Sequence, residues 1–297
     1  MKIKGIDYEK CISCGDCVLV CNQYLFIENL KKEKEQYKFD DPHNICVKCG
    51  HCISICPPKA ILYEDADEPY EFKGTKNMAE VMPYDELMKI LRMRRTMRIY
   101  KDEPVPKEQI EKVLEAMRYA PSGSNRQNWR YTVVTNKEEI NHLRKGTTKV
   151  IYRGKKLISL RRIVAPFLPY GARRRIMNPK IKFQLNDWVE RIERGEDIIF
   201  FNAPCVIIIY SRKYIAGIAG NDAGIAFTYG MLAAQSIGLG TAWIGVTQRQ
   251  LQANKKLAKH FKTPKGFIVW GVMTLGIPDI QYRRAPPRRP LRIQWME

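Results

Sequence analysis

Two stretches of the chain share one spacing: Cys11-Ile12-Ser13-Cys14-Gly15-Asp16-Cys17-Val18-Leu19-Val20-Cys21 and Cys46-Val47-Lys48-Cys49-Gly50-His51-Cys52-Ile53-Ser54-Ile55-Cys56. Each reads C-x2-C-x2-C-x3-C. Three thiolates at this step on a tight loop can reach three irons of one cubane, while a fourth at a helix start points to a neighbouring cluster. The two runs are therefore expected to exchange their last ligands. Cys11, Cys14, Cys17 and Cys56 are assigned to one 4Fe-4S cluster, and Cys46, Cys49, Cys52 and Cys21 to the other. Zinc and disulfides are the competing readings, since four cysteines also suit a zinc site. Zinc motifs pair C-x2-C units and rarely add a third cysteine two residues on. Residues 1–10, MKIKGIDYEK, lack the apolar stretch of a secretory signal, so the expected setting is the reducing cytoplasm, where disulfides are rare.

The doubled run resembles the bacterial two-cluster ferredoxin, which implies a small ferredoxin-like domain over residues 1–63. Pro57 follows Cys56 as that family's pattern asks, but Asn22 follows Cys21. This departure is expected to loosen the turn after Cys21 without removing a ligand. His43 and His51, beside the second run, read as solvated loop histidines.

Working outward, 297 residues at 45% hydrophobic and 28% charged describe a globular chain with room for one or two domains, not a fibre or a disordered tail. The formal charge of +20 is uneven: residues 83–297 hold 40 basic and 17 acidic side chains, whereas residues 64–82 hold 2 and 6. That acidic stretch, with Pro69 and Gly74 and no sustained apolar period, reads as a linker. The longest uncharged run, residues 223–248, is long enough to span a bilayer. Gln235, Ser236, Gly238 and Gly240 interrupt it, so a buried helix, a turn and a strand are expected instead.

Residues 83–297 form the second expected domain. A helix begins at Pro83 with Leu87, Ile90 and Leu91 on one face. Another follows with Pro106 in its first turn and Ile110, Val113, Leu114 and Met117 at helical spacing. Residues 131–135, 206–210, 242–246 and 267–275 are rich in β-branched or aromatic side chains and read as strands. Long helical stretches between them predict an α+β sandwich with a mixed sheet.

Four blocks in this region carry a second resemblance: Arg94-Arg95-Thr96-Met97-Arg98-Ile99-Tyr100, Ala120-Pro121-Ser122-Gly123-Ser124-Asn125-Arg126-Gln127-Asn128-Trp129, Gly238-Leu239-Gly240-Thr241-Ala242-Trp243-Ile244-Gly245 and Gly276-Ile277-Pro278. In this order they resemble the FMN-dependent nitroreductase family. The resemblance implies that Arg94 and Thr96 bind the phosphate and ribityl groups of FMN, that Arg95 lies beside the ribityl chain, and that Arg98 faces the pyrimidine edge. It places Ile244 and Gly245 at the flavin, with the Gly245 amide towards N5. It also implies a homodimer in which Pro121, Ser122, Gly123 and Asn125 reach the partner's flavin. Near the C-terminus, Pro287-Arg288-Arg289-Pro290 occupies the place of a phosphate-closing arginine, and Arg289 is preferred with Arg288 as alternate. The family loop ahead of strand 206–210 cannot be matched.

The two resemblances together imply an oxidoreductase in an anaerobic cytoplasm. Electrons from a low-potential donor such as ferredoxin enter two 4Fe-4S clusters, collect on FMN and leave to a small organic acceptor, a nitro compound, a quinone or an anion among them. No side-chain acid or base is required, because the flavin carries the chemistry. A non-enzymatic electron carrier and a flavin-remodelling or dehalogenating branch of the same fold are the alternatives. Residues 140–186 form a basic insertion with 13 Lys or Arg and no Asp or Glu. It reads as a solvated face, a docking place for an acidic partner or anionic substrate, or a contact with an anionic membrane. No nucleic-acid motif accompanies it. Cys205 reads as a buried thiol, and His142 and His260 as surface residues.

Overall fold

The computed structural model of the chain describes residues 1–29, 37–72, 74, 77–212 and 218–297. Two units emerge, Met1–Met82 with Ser122–Arg126, and Pro83–Pro121 with Gln127–Glu297.

The first unit contains β1 (Lys2–Ile6), α1 (Asp16–Val20), β2 (Phe26–Glu28), β3 (Tyr37–Phe39), α2 (His51–Ile55), β4 (Ile61–Glu64) and α3 (Met78–Val81). β1 pairs with β4 and β2 with β3, both antiparallel. The repeat in the sequence is a repeat in the backbone. Gly15 and Gly50 lead into α1 and α2 at φ of 81° and 76°, a left-handed conformation in which a side chain would be strained. Ser13 and Lys48 match at 55° and 58°, as do Tyr24 and Lys59 at 54° and 55°. The turn after Cys21 is not loosened by Asn22. Tyr24 N–H donates to the Cys21 carbonyl at 3.0 Å, as Lys59 N–H does to Cys56 at 3.2 Å. The core is small, built from Ile3, Ile6, Phe26, Ala60 and Ile61 around Cys52. Of the stretch read as a linker, residues 73, 75 and 76 lie outside the described residues.

The second unit runs α4 (Tyr84–Met93), α5 (Lys107–Arg118), β5 (Arg130–Val134), α6 (Lys137–Ser159), α7 (Arg161–Val164), α8 (Tyr170–Met177), α9 (Pro179–Glu193), β6 (Cys205–Arg212), α10 (Ile218–Ser236), β7 (Gly240–Trp243), α11 (Gly245–Ala253), α12 (Lys255–His260) and β8 (Phe267–Gly276). The sheet order is β5-β6-β8-β7 with antiparallel neighbours throughout. Among the described residues its parallel component is the bridge between Thr96 and Thr241. β6 explains the layering. Successive side chains of a strand point to opposite faces, and both faces of β6 are buried. Val206, Ile208 and Tyr210 pack with Leu143 and Ile151 of α6 and Val189 of α9. Cys205, Ile207 and Ile209 pack with Val113 and Met117 of α5 and Ala226 and Phe227 of α10. A sheet between two helical layers results, and cutting Ile207 or Ile208 back to Ala removes about 2–5 kcal/mol.

The run 223–248 is helix, turn and strand, and among the described residues no helix is long and apolar enough to cross a membrane. The strand expected over 242–246 ends at Trp243. Ile244 spends its N–H on the Val272 carbonyl at 2.7 Å, and Gly245 then opens α11. Cys205 is fully buried, which pushes its thiol up to about 12, so it is a core thiol and not a nucleophile.

Candidate functional site

The eight clustered cysteines surround two separate cavities. Cys11, Cys14, Cys17 and Cys56 line one, with Ile6 and Ile61; Cys21, Cys46, Cys49 and Cys52 line the other, with Ile3 and Phe26. All nine cysteines are free among the described residues. Among the described residues no three His, Cys, Asp or Glu side chains converge on a point suited to one metal ion. Four sulfurs ringed around a cavity suit a polynuclear cluster better, because each then meets its own iron. Backbone N–H groups already point at the sulfurs in matched pairs. Ser13 donates to Cys11 Sγ and Lys48 to Cys46 Sγ, both at 3.4 Å, while Leu25 donates to Cys21 Sγ at 3.4 Å and Ala60 to Cys56 Sγ at 3.2 Å. Such donors stabilise the charge of a reduced cluster. Burial pushes the Cys17 thiol up to about 11 and the Cys52 thiol up to about 12, so iron must displace protons there on binding. The donor set fits 4Fe-4S clusters.

In the second unit, residues 94–100 run along the edge of the sheet. Met97 N–H donates to the Thr241 carbonyl at 2.9 Å, Lys101 N–H to Ile277 at 2.9 Å, and Asp279 N–H to Ile99 at 3.1 Å. Tyr100 Oη hydrogen-bonds Thr274 Oγ1 at 2.9 Å beneath. Gly240 permits this closeness. A Cβ there would stand 2.7 Å from Met97 Cγ and 2.9 Å from Met97 Cβ.

This edge gathers cations. The Arg94 guanidinium is half-buried, and its pKa is held below the ordinary arginine value by desolvation first, then by the charges of Arg95 and Arg288. Like charges held together in a partly dry place call for an anion, and a phosphate dianion supplies one. Of the two tail arginines, Arg288, the alternate, is one whose charge lowers the Arg94 pKa, after desolvation and Arg95. Arg95 also donates to the Arg92 and Met93 carbonyls. Gly245 is the first residue of α11, where the N–H has no intrahelical acceptor, and a Cβ added to it would meet nothing within 4 Å. Its open face leaves room for a flat ring. These residues fit a flavin mononucleotide.

Arg98 lies over the Phe201 ring, 5.7 Å from its centroid. Phe201 and Asn202 both adopt left-handed backbone, at φ of 58° and 56°. Asp197 holds them, accepting from the N–H groups of Ile199 at 3.0 Å, Phe200 at 2.9 Å and Asn202 at 3.1 Å. This is the loop ahead of β6 that the sequence left unmatched, and Asp197 was its local signal. Pro121 closes the α5 segment of the second unit, whereas Ser122, Gly123 and Asn125 fall in the first. There Asn125 Nδ2 donates to the Lys48 carbonyl at 2.5 Å. His142 and His260 are exposed, as expected, but His260 Nε2 meets Glu139 Oε2 at 2.6 Å and stacks on His142 at 4.6 Å.

Residues 91–277 match the model of the nitroreductase family, more than half of the chain. The chain belongs to the nitroreductase family. Residues 10–61 match the 4Fe-4S dicluster domain. Among nitroreductase relatives, an FMN reductase [NAD(P)H] of Bacillus subtilis is 27% identical over 202 residues, 68% of this chain and 70% of that protein. A crystal structure of a nitroreductase with bound FMN from Desulfitobacterium hafniense superposes with a TM-score of 0.52 at 25% identity, covering 71% of this chain and 97% of that one. A nitroreductase with bound FMN from Bacteroides fragilis shares the fold, with a TM-score of 0.50 at 21% identity over 71% of this chain and 99% of that one.

Proposed function

We propose that this nitroreductase-family protein takes electrons singly from a low-potential donor such as ferredoxin and delivers them in pairs to a small organic acceptor, a nitro compound or a quinone. The observation that carries the reading is that one chain presents both two four-cysteine cavities and, at the edge of the sheet of the second unit, a cluster of arginine charges around Arg94. Two 4Fe-4S clusters supply one-electron steps when bound, and FMN converts between one- and two-electron chemistry. Cys11, Cys14, Cys17 and Cys56 would hold one cluster, and Cys21, Cys46, Cys49 and Cys52 the other. Arg94, Thr96 and Arg288 would take the phosphate end of FMN, with Arg95 beside the ribityl chain. The positive charge of Arg98, backed by Phe201, would stabilise the negative charge that reduction places on the pyrimidine edge. Ile244 and Gly245 would present the start of α11 to the ring. Pro121, Ser122, Gly123 and Asn125 would serve the flavin of a second subunit in a homodimer. Eight cysteines kept as thiols suit a reducing cytoplasm.

The test is an anaerobic titration of the purified protein, following cluster and flavin absorbance while reduced ferredoxin, NADH and NADPH are offered separately. Bleaching of both chromophores by ferredoxin, with turnover of a quinone or nitroaromatic, is the expected result. A flavin reduced only by NAD(P)H, with clusters that never change, would refute the route through them. Reduction of both without turnover of any small acceptor would make the protein a carrier.

A further inference from the structure

Residues 140–186 carry thirteen cations and no carboxylate, and they fold as most of α6, then α7, a 3-10 turn at Ala165–Phe167, α8 and the first half of α9. Among the described residues, the ion pairs nearest in the chain lie outside this segment, Glu139 with His260 before it and Arg191 and Arg194 with Glu196 after it. Cations alone would make an ordinary solvated face. Here large apolar side chains stand in water among them: Phe167 is 85% exposed, Tyr170 79%, Phe183 77% and Ile163 69%. Arg162, Tyr170, Arg173, Arg174 and Met177 also line one cleft of about 550 Å³ with Ala165 and Pro166. Three guanidinium groups therefore border a pocket whose remaining walls are apolar or aromatic.

The mixture discriminates among occupants. A small anion would use the arginines and leave Phe167 and Ile163 in water, and an acidic protein would need apolar side chains of its own set opposite them. A second copy of this chain would bring like charges face to face. An anionic bilayer uses both kinds of side chain, because interfacial binding grows with apolar area buried at the acyl boundary and with cations near lipid phosphates. We infer that α7, the 3-10 turn and α8 seat this protein on the surface of an anionic phospholipid bilayer. Ile163 and Phe167 enter the headgroup boundary, and Arg162, Arg173 and Arg174 take lipid phosphates in the cleft. The protein is held at the surface and does not span it.

The experiment is co-sedimentation of the full-length holoprotein with vesicles of phosphatidylcholine alone or mixed with phosphatidylglycerol, at low and high salt. Binding should be at least about tenfold tighter to the mixed vesicles and should weaken with salt. Phe167→Ser, and separately Arg173→Glu with Arg174→Glu, should each reduce it about tenfold while flavin and cluster absorbance stay unchanged. Phe167→Trp keeps an aromatic ring and should add an emission quenched by brominated acyl chains, a readout that does not depend on turnover. Equal binding to both vesicles overturns the inference. So does salt-sensitive binding that ignores Phe167→Ser and leaves the new Trp unquenched, since the face is then merely basic. Tighter binding to duplex DNA than to mixed vesicles, or a Phe167→Ser variant that changes only the oligomeric state, overturns it as well.

Discussion

The charge of Arg288 presses on Arg94 across most of the length of the second unit's sequence, and a phosphate would relieve both. That influence favours Arg288 over a neighbour that counting along the tail could not rank, because the spacing around Pro287 and Pro290 admits either arginine. Arg288→Ala should weaken FMN binding by about ten- to a hundredfold, the worth of one charge-assisted hydrogen bond. Arg289→Ala should change it by a factor of a few at most. Titrating apoprotein with FMN by fluorescence checks both, and the reverse order would return the role to Arg289. The cysteines offer a similar discrimination. Cys56 shares its cavity with Cys11, Cys14 and Cys17, not with Cys46, Cys49 and Cys52, its companions in sequence. Cys56→Ser should therefore broaden or abolish the electron-resonance signal of one cluster, and Cys14→Ser should alter the same signal. If Cys56→Ser instead matches Cys49→Ser, the exchanged pairing is wrong.

Residues 94–100 lie against β7 and the chain after β8 only because Gly240 and Gly276 lack side chains: a Cβ would stand 2.7 Å from Met97 Cγ at the first and 2.7 Å from Tyr100 Cδ1 at the second. Gly240→Ala should cost about 1–3 kcal/mol of apoprotein stability in denaturant unfolding, the usual penalty of overpacking, and should weaken FMN because Arg94 and Arg98 ride on the displaced segment. Gly245→Ala meets open space, so stability should hold while FMN binding falls. Unchanged FMN binding in Gly245→Ala would remove α11 from the ring site. These glycines were legible in the sequence as parts of motif blocks, and β6 was legible as an unbroken β-branched run. The end of β7 was not. Trp243-Ile244-Gly245-Val246 continues the strand pattern, but the Ile244 carbonyl accepts from Gln248 N–H at 3.2 Å and the chain turns into α11 at Gly245. The long helical stretch expected across residues 140–186, with Tyr152, Phe167, Tyr170 and Phe183 interleaved among its cations, is divided into α6 to α9, and Pro166, Pro169 and Pro179 stand at the breaks. Phe201 under Arg98 and Glu139 beside His260 join residues roughly a hundred positions apart, and single-sequence spacing carries no record of such meetings.

At the level of the whole chain, one helix leaves its apolar stripe open. α4 is amphipathic, yet none of its residues is buried; Leu87, Leu91 and Met93 are 38%, 41% and 67% exposed. The C-terminal tail repeats the pattern, with Leu291 and Trp295 at 86% and 78%. Helices of this length take most of their stability from packing an apolar stripe, and α4, tied to α10 by Gln235 Nε2 donating to the Ile90 carbonyl at 3.1 Å, leaves Leu87 and Leu91 only partly covered. A second copy is the economical source of further cover, and it fits the reading in which residues 121–125 complete the partner's flavin site. Covering the part of Leu87 and Leu91 that is still exposed would contribute about 1 kcal/mol each, and carboxylates there would have to be desolvated instead. Leu87→Asp with Leu91→Asp should therefore sediment as a monomer that has lost FMN but keeps about eight irons per chain, since the eight cysteines that would hold them lie in the first unit of one chain. Sedimentation velocity, flavin released by heating and iron analysis on a single preparation read all three quantities. A monomer that retains stoichiometric FMN would show that each chain completes its own flavin site. Loss of iron together with FMN would show instead that the variant has unfolded, and the milder Leu91→Ala would then have to give concentration-dependent FMN retention for the shared site to stand.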